Sequence, residues 1–356
     1  MKALKLYLKE KLLCKNEKYL FCYYKGSLIL RSNKNKKFIQ KLKIYSKIKA
    51  IELVERLFRY EPRVAISLNT NEFLFSLHGH IYNYSVLSNS ITIEHHFAKG
   101  MNNPLNFCVA YDNNGNILDI LYGEYIWNTD KGEVAIYRRK NRTWIEIFTF
   151  PPNTVTHIHN IVFDKYNHRY LIMTGDTDEE SAIWTADMDF TTVEPIVKGK
   201  QKYRACILYP TKDAIYYATD TPLEQNWFYK IDENNEKGVI VKKIHPLPGP
   251  CIFGKALDGK FYMATSVEGD PTQNIWKYRM SNKLGNGVKD RYVHLLEYSL
   301  NQPVKEILKI RKDIWPMWLF QFGNIQFPNV VNDKNIYICP QSTVYKSGTY
   351  ILEEVK

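Results

Sequence analysis

Alternation of apolar and polar residues at a period of two runs through most of the chain and predicts strands rather than helices. One grammar recurs: a turn, an apolar β-rich run ending near Thr or Tyr, a polar loop, then an apolar-aromatic run. It is clearest in Asn116–Arg138 (NILDILYGEYIWNTDKGEVAIYR), Arg169–Thr185 (RYLIMTGDTDEESAIWT), Ala214–Lys230 (AIYYATDTPLEQNWFYK) and Lys260–Lys277 (KFYMATSVEGDPTQNIWK). Glu72–Val86 repeats it with a shorter loop, and Tyr19–Arg31 and Asn335–Leu352 repeat it more weakly. The spacing of about 45 to 50 residues is the size of one four-stranded blade, so the pattern predicts an all-β chain folded as a β-propeller. Six or seven four-stranded blades fit within one domain over 1–356, with blades at 11–43, 62–97, 103–150, 157–199, 204–244, 249–313 and 316–356. The sixth carries an insertion. Ile48, Ile51, Val54 and Phe58 fall near helical spacing and predict a short helix within Ser46–Tyr60.

Composition adjusts this picture only slightly. At 356 residues, 45% apolar and 24% charged, there is ample material for a core. Tyr (26) and Trp (7) are abundant, which suits strand packing and also sugar-binding clefts. Six cysteines without CxxC spacing argue against a zinc site and fit reduced thiols. No apolar run is long enough to span a bilayer, and lysines interrupt the first fifteen residues, so a cytoplasmic location is expected. The net charge of +12 is concentrated at one end: residues 1–63 hold 18 Lys and Arg against five Glu. Such an end suits peripheral contact with an anionic surface, whereas the aromatic–basic signatures of nucleic-acid binding are absent and no nucleic-acid partner is expected.

Strand parity locates the chemistry. In an up-and-down blade, the loop between the second and third strands lies on the same face as the crossing into the next blade. Four successive blades carry an acid at the start of that loop: Glu124, Asp176, Asp220 and Glu268. Asn128, Asp178, Glu224 and Asn226 follow in the same loops, and His157, His159, Gln201 and Arg204 lie at the crossings. His157 and His159, two apart, share one face of a strand. The catalytic candidates are therefore Glu124, His157, His159, Asp176, Arg204, Asp220 and Glu268, with Asn128, Asp178, Gln201, Glu224 and Asn226 as substrate-binding candidates. His157, His159 and Gln201 are candidate metal ligands, and Mn²⁺ or Ca²⁺ suits such a set.

Thr185-Ala-Asp-Met-Asp-Phe-Thr-Thr192 resembles the Asp-box (BNR) repeat of sialidase-like propellers, and Tyr137–Trp144, 48 residues earlier, has the same frame without the Asp. Together with HIHNIVFDKY, TGDTDEE, GKQKYRA and TDTPLEQN, these runs make residues 120–270 similar to sialidase-like, neuraminidase-repeat bacterial propellers. That resemblance implies a carbohydrate-related role, often on surface or capsular glycans. True sialidases use three arginines, a Tyr nucleophile with a Glu partner and an Asp acid, and EPRVA around Arg63 does not match the arginine motif. Oligogalacturonate lyases are also propellers, with a His/Gln metal site to which His157, His159 and Gln201 are similar.

The expected activity is cleavage of a glycosidic bond in a polysaccharide or oligosaccharide. Two carboxyls would serve a glycoside hydrolase; a His base with Arg204 or a metal would serve a uronate lyase. The alternative is a non-catalytic glycan- or protein-binding scaffold.

Overall fold

A computed structural model describes residues 2–44, 51–233, 236, 238–330 and 333–354. Seven antiparallel sheets of four main strands, each running from an innermost to an outermost strand, follow one another around a ring. The first blade comprises Lys11–Lys15, Tyr19–Tyr24, Ser27–Ser32 and Phe38–Lys43; the second Ala65–Asn69, Glu72–Leu77, His80–Ser85 and Ser90–His96. The third comprises Cys108–Tyr111, Ile117–Gly123, Val134–Lys140 and Thr143–Phe150; the fourth Ile158–Asp164, Arg169–Thr174, Ala182–Ala186 and Val193–Lys198. The fifth comprises Ala205–Pro210, Ile215–Thr219, Asn226–Asp232 and Ile240–Leu247; the sixth Phe253–Leu257, Lys260–Ala264, Tyr292–Ser299 and Lys305–Arg311.

The seventh blade closes the ring. Its inner strands, Asn324–Gln326, Tyr337–Gln341 and Thr349–Glu354, are completed by the N-terminal strand Lys2–Leu8, which runs antiparallel to the last strand with Leu4 opposite Leu352. Closure by strands from the two ends of the chain leaves each sheet with neighbours on both sides. Residues 316–356 therefore do not complete a blade alone. A short parallel pairing of Asn329–Val330 with Cys14–Lys15 adds a second link across the same seam.

Apolar side chains pack between blades rather than within them. Seven buried clusters correspond to the seven interfaces; one joins Leu121 and Ile136 of the third blade to Ile158, Tyr170 and Trp184 of the fourth. Trp184 is buried and its indole N–H donates to Thr174 Oγ1 at 2.9 Å. All six cysteines are buried and unpaired. Among the described residues no helix is long and apolar enough to cross a membrane.

Two features depart from the repeat. The expected helix is Glu52–Phe58; residues 45–50, where it was expected to begin, lie outside the described residues. In the sixth blade, the apolar-aromatic run around Trp276 is not a third strand. It forms a short helix, Ile275–Met280, inside an insertion spanning 265–291, and the third strand is Tyr292–Ser299. Asn274 caps that helix by accepting from the Trp276 N–H, and a capped turn outcompetes a strand that has no partner edge to join. The two frames that resemble the Asp-box also differ. Asp187 binds Thr191 and the Thr192 N–H across a six-residue turn, whereas Asn141 and Arg142, both with positive φ, make a two-residue hairpin before Thr143.

Trp184→Ala should cost about 3–5 kcal/mol, whereas Trp276→Ala, at a position 71% exposed, should stay within about 0.5 kcal/mol. Urea unfolding of both variants checks this; equal losses would mean that the insertion helix is part of the core.

Candidate functional site

Alternating strand direction brings the loops after second strands and the inter-blade crossings to one face, and there the side chains of the fourth, fifth and sixth blades converge. His157 and His159 enter on the innermost strand of the fourth blade, and Asp176 follows its second strand. His157 Nδ1 lies 3.3 Å from the Ile126 carbonyl and His159 Nδ1 3.0 Å from the Ala205 carbonyl. A carbonyl only accepts, so each Nδ1 carries a proton. Both Nε2 atoms then point at the Asp176 carboxylate, at 3.4 and 3.5 Å, and that of His157 makes no hydrogen bond. Burial lowers the His157 pKa to about 4, with the attraction of Asp176 opposing only part of the shift.

Arg204 ties the cluster together. Its Nη2 is 2.9 Å from Asp176 Oδ1 and its Nη1 donates to the Asp176 carbonyl at 3.2 Å. Burial disfavours the charge of both partners. For Asp176, the Arg204 guanidinium outweighs it and holds the carboxyl well below the usual range. For Arg204, Asp176, Asp220 and Glu268 outweigh it and raise the pKa. Asp220 is buried, accepts from Cys206 Sγ at 3.0 Å on one oxygen and has no partner on the other. Glu268, also buried, accepts from Ser266 Oγ. Burial and the nearby Asp220 raise its pKa to about 8, against the pull of Ser266 and Arg204, so it holds a proton near neutrality.

The remaining candidates have other places. Glu124 does not join the cluster: its carboxylate accepts from the Ala135 N–H of the adjacent strand, and the next residue, Tyr125, takes the position against His157, with ring centres 4.4 Å apart. Asn128 locks its loop through two bonds to Gly132. Asp178 accepts from the Gln201 N–H at the start of a single helical turn. Gln201 donates through Nε2 to the Asp176 carbonyl, while its buried Oε1 makes no hydrogen bond, and Asp176 groups with the two histidines. Asn226 is fully buried and bonded to Thr219, Thr221 and the Gly287 carbonyl, which fastens the insertion to the fifth blade. Glu224 is exposed.

Three contributors escape the sequence reading. Cys206, two residues after Arg204 at an irregular start of the strand Ala205–Pro210, donates to Asp220. Tyr125 was hidden behind the acid preceding it. Tyr278 lies on the insertion helix, close over Gly269; burial and the nearby Glu268 raise its pKa. Around this polar centre the same face presents Trp127, Trp276, Ile314 and Tyr345, all exposed. The Arg279 guanidinium lies between Trp276 and Trp318, 5.4 and 4.6 Å from their ring centres.

No protein-family model matches the sequence, and no curated protein matches it. Solved structures match in fold. An oligogalacturonate lyase from Vibrio parahaemolyticus superposes with a TM-score of 0.55 at 9% identity, covering 99% of this chain and 90% of that one. A chain of a mitotic checkpoint complex gives 0.54 at 9% identity, covering 98% and 90%. The Cps50 (Swd1) propeller domain of Myceliophteria thermophila gives 0.50 at 8% identity, covering 99% and 100%. At these identities the likeness defines the class, a seven-bladed β-propeller, and goes no further.

Glu268 keeps its proton to about pH 8 when folded and releases it near the ordinary 4.5 when unfolded. Between these values the unfolded chain binds fewer protons, so stability falls as pH rises. Glu268→Gln should flatten that decline and melt at least ~2 °C above wild type at pH 8. Thermal melts from pH 5 to 9 test this. A variant with the wild-type slope would mean that Glu268 is already ionised across the range.

Proposed function

We propose that the protein is a carbohydrate-active propeller that cleaves a glycosidic bond, with Glu268 as proton donor and Asp220 as its partner carboxylate. The observation that carries this reading is the pair of buried carboxyls from adjacent blades, one of which holds its proton near neutrality. A carboxyl that holds its proton near neutrality beside a second carboxyl is what glycoside hydrolysis requires. Glu268 would protonate the leaving glycosidic oxygen as the C–O bond breaks, and Asp220 would take a proton from the attacking water or stabilise the developing positive charge. With Glu268 neutral, Asp176 and Asp220 face one guanidinium, so the cluster has no surplus positive charge. Sugar hydroxyls and a leaving oxygen fit it better than a uronate carboxylate does. The exposed tryptophans around the rim suit stacking on sugar faces. A sialidase-like ancestry is compatible with this role and rests on the Asp-box turn at Asp187 alone.

One observation favours a second reading, a uronate lyase. Two imidazole Nε2 atoms converge on the Asp176 carboxylate, and these three residues would hold a divalent ion. Their ligand atoms suit Mn²⁺ better than Ca²⁺, which favours an all-oxygen shell. The metal would then neutralise a substrate carboxylate while a base removed the C5 proton. The fold likeness to an oligogalacturonate lyase accords with this without adding to it.

Neutral and acidic polysaccharide fragments should yield new reducing ends with wild type, while Glu268→Gln and Asp220→Asn lose about 10²–10⁴-fold in kcat and still fold. An unsaturated-uronate absorbance, abolished by EDTA and by His157→Ala, would choose the lyase. Binding without turnover in all variants would leave a glycan-binding scaffold.

A further inference from the structure

The axis of the ring holds a cavity of about 580 Å³, lined from the innermost strands of all seven blades. Its composition is unlike that of the rim cluster. No Asp or Glu lines it, whereas Lys11, Arg63 and Lys255 do, together with amides such as Asn106, Asn160 and Gln326. Lys11 is neutralised by Glu61 at 3.1 Å. The other two cations have no such partner among the described residues. Arg63 donates to the Asn103 carbonyl at 2.9 Å and lies over the Tyr125 ring, 5.6 Å from its centre. The Lys255 ammonium makes no hydrogen bond or ion pair among the described residues.

A buried cation without an ion-pair partner is costly, and two lining the same cavity are costlier, although Glu61 and Asp333 attract Arg63 and Lys255 without pairing with them. Burial drives the Lys255 pKa down to about 8, with the attraction of Asp333 opposing it. Such a cost is recovered when an anion enters, because the cations then gain an opposite charge in a weakly screened space. The volume falls within the range of small-molecule sites and admits a ligand of monosaccharide to disaccharide size.

We infer that the axial cavity binds a small anionic ligand, a sugar acid or sugar phosphate, attracted by Arg63 and Lys255, which both line it. This site is separate from the carboxyl cluster: none of His157, Asp176, Asp220 or Glu268 lines it. The two meet at Tyr125, which faces Arg63 on one side and His157 on the other. The inference goes beyond cleavage and does not depend on it, since it concerns binding alone.

Isothermal titration calorimetry with D-glucuronate, glucose 1-phosphate and D-glucose tests it. At least one anion should bind about tenfold more tightly than glucose, and Lys255→Met and Arg63→Met should each weaken that binding by about tenfold. Lys255→Arg should retain it. Binding of glucuronate alone would assign the charged group as a carboxylate; binding of glucose 1-phosphate alone would assign a phosphate. Since Lys255 has no partner to lose, Lys255→Met should melt at or above the wild-type temperature, which separates lost binding from lost folding. Failure of both anions to bind, or wild-type affinity in folded Lys255→Met and Arg63→Met, would overturn the assignment.

Discussion

A blade with an even number of antiparallel strands begins and ends on the same face, and that constraint organises the whole molecule. Every crossing to the next blade, and every loop between second and third strands, must return to one side of the ring. The helix Glu52–Phe58 in one crossing and the 312–323 crossing before the seventh blade meet there through Arg56, which bonds the Phe320 carbonyl and pairs with Asp313. The strands serve as rigid supports, and the chemistry is carried by the connections that parity brings together.

Electrostatics then divides the interior into two zones of opposite character. At the rim, three ionisable groups lie around one guanidinium, and the outcome differs for each: Asp176 is held ionised, Glu268 is held protonated and His157 is held neutral. Along the axis, Arg63 and Lys255 face a cavity without a carboxylate. Tyr125 lies between the two. A substrate spanning both would meet a proton donor at one end and a positive field at the other, an arrangement that orients a polar molecule.

Much of this was legible in the chain. The repeat set the blade size, and parity assembled His157, His159, Asp176, Arg204, Asp220 and Glu268 on one face. What the sequence concealed has physical reasons. Glu124 and Tyr125 are adjacent, so only one faces inward, and a backbone N–H at Ala135 takes the carboxylate. The run at Trp276 has strand composition, yet no open sheet edge waits for it, and Asn274 caps it as a helix. Ring closure by Lys2–Leu8 depends on a partner more than 300 residues away, beyond the reach of any local pattern. The axial cavity is hidden for the same reason, since each blade supplies only a few of its residues.

Glycosidic cleavage at this site depends on Glu268 carrying a proton beside Asp220 at neutral pH. Infrared difference spectroscopy of wild type against Glu268→Gln tests it most directly. At pH 6.5 the wild type should show a protonated carboxyl C=O stretch that the variant lacks, fading as pH passes about 8. A difference spectrum showing only an ionised carboxylate at pH 6.5 would contradict the acid–base assignment and remove the main support for glycosidic cleavage at this site.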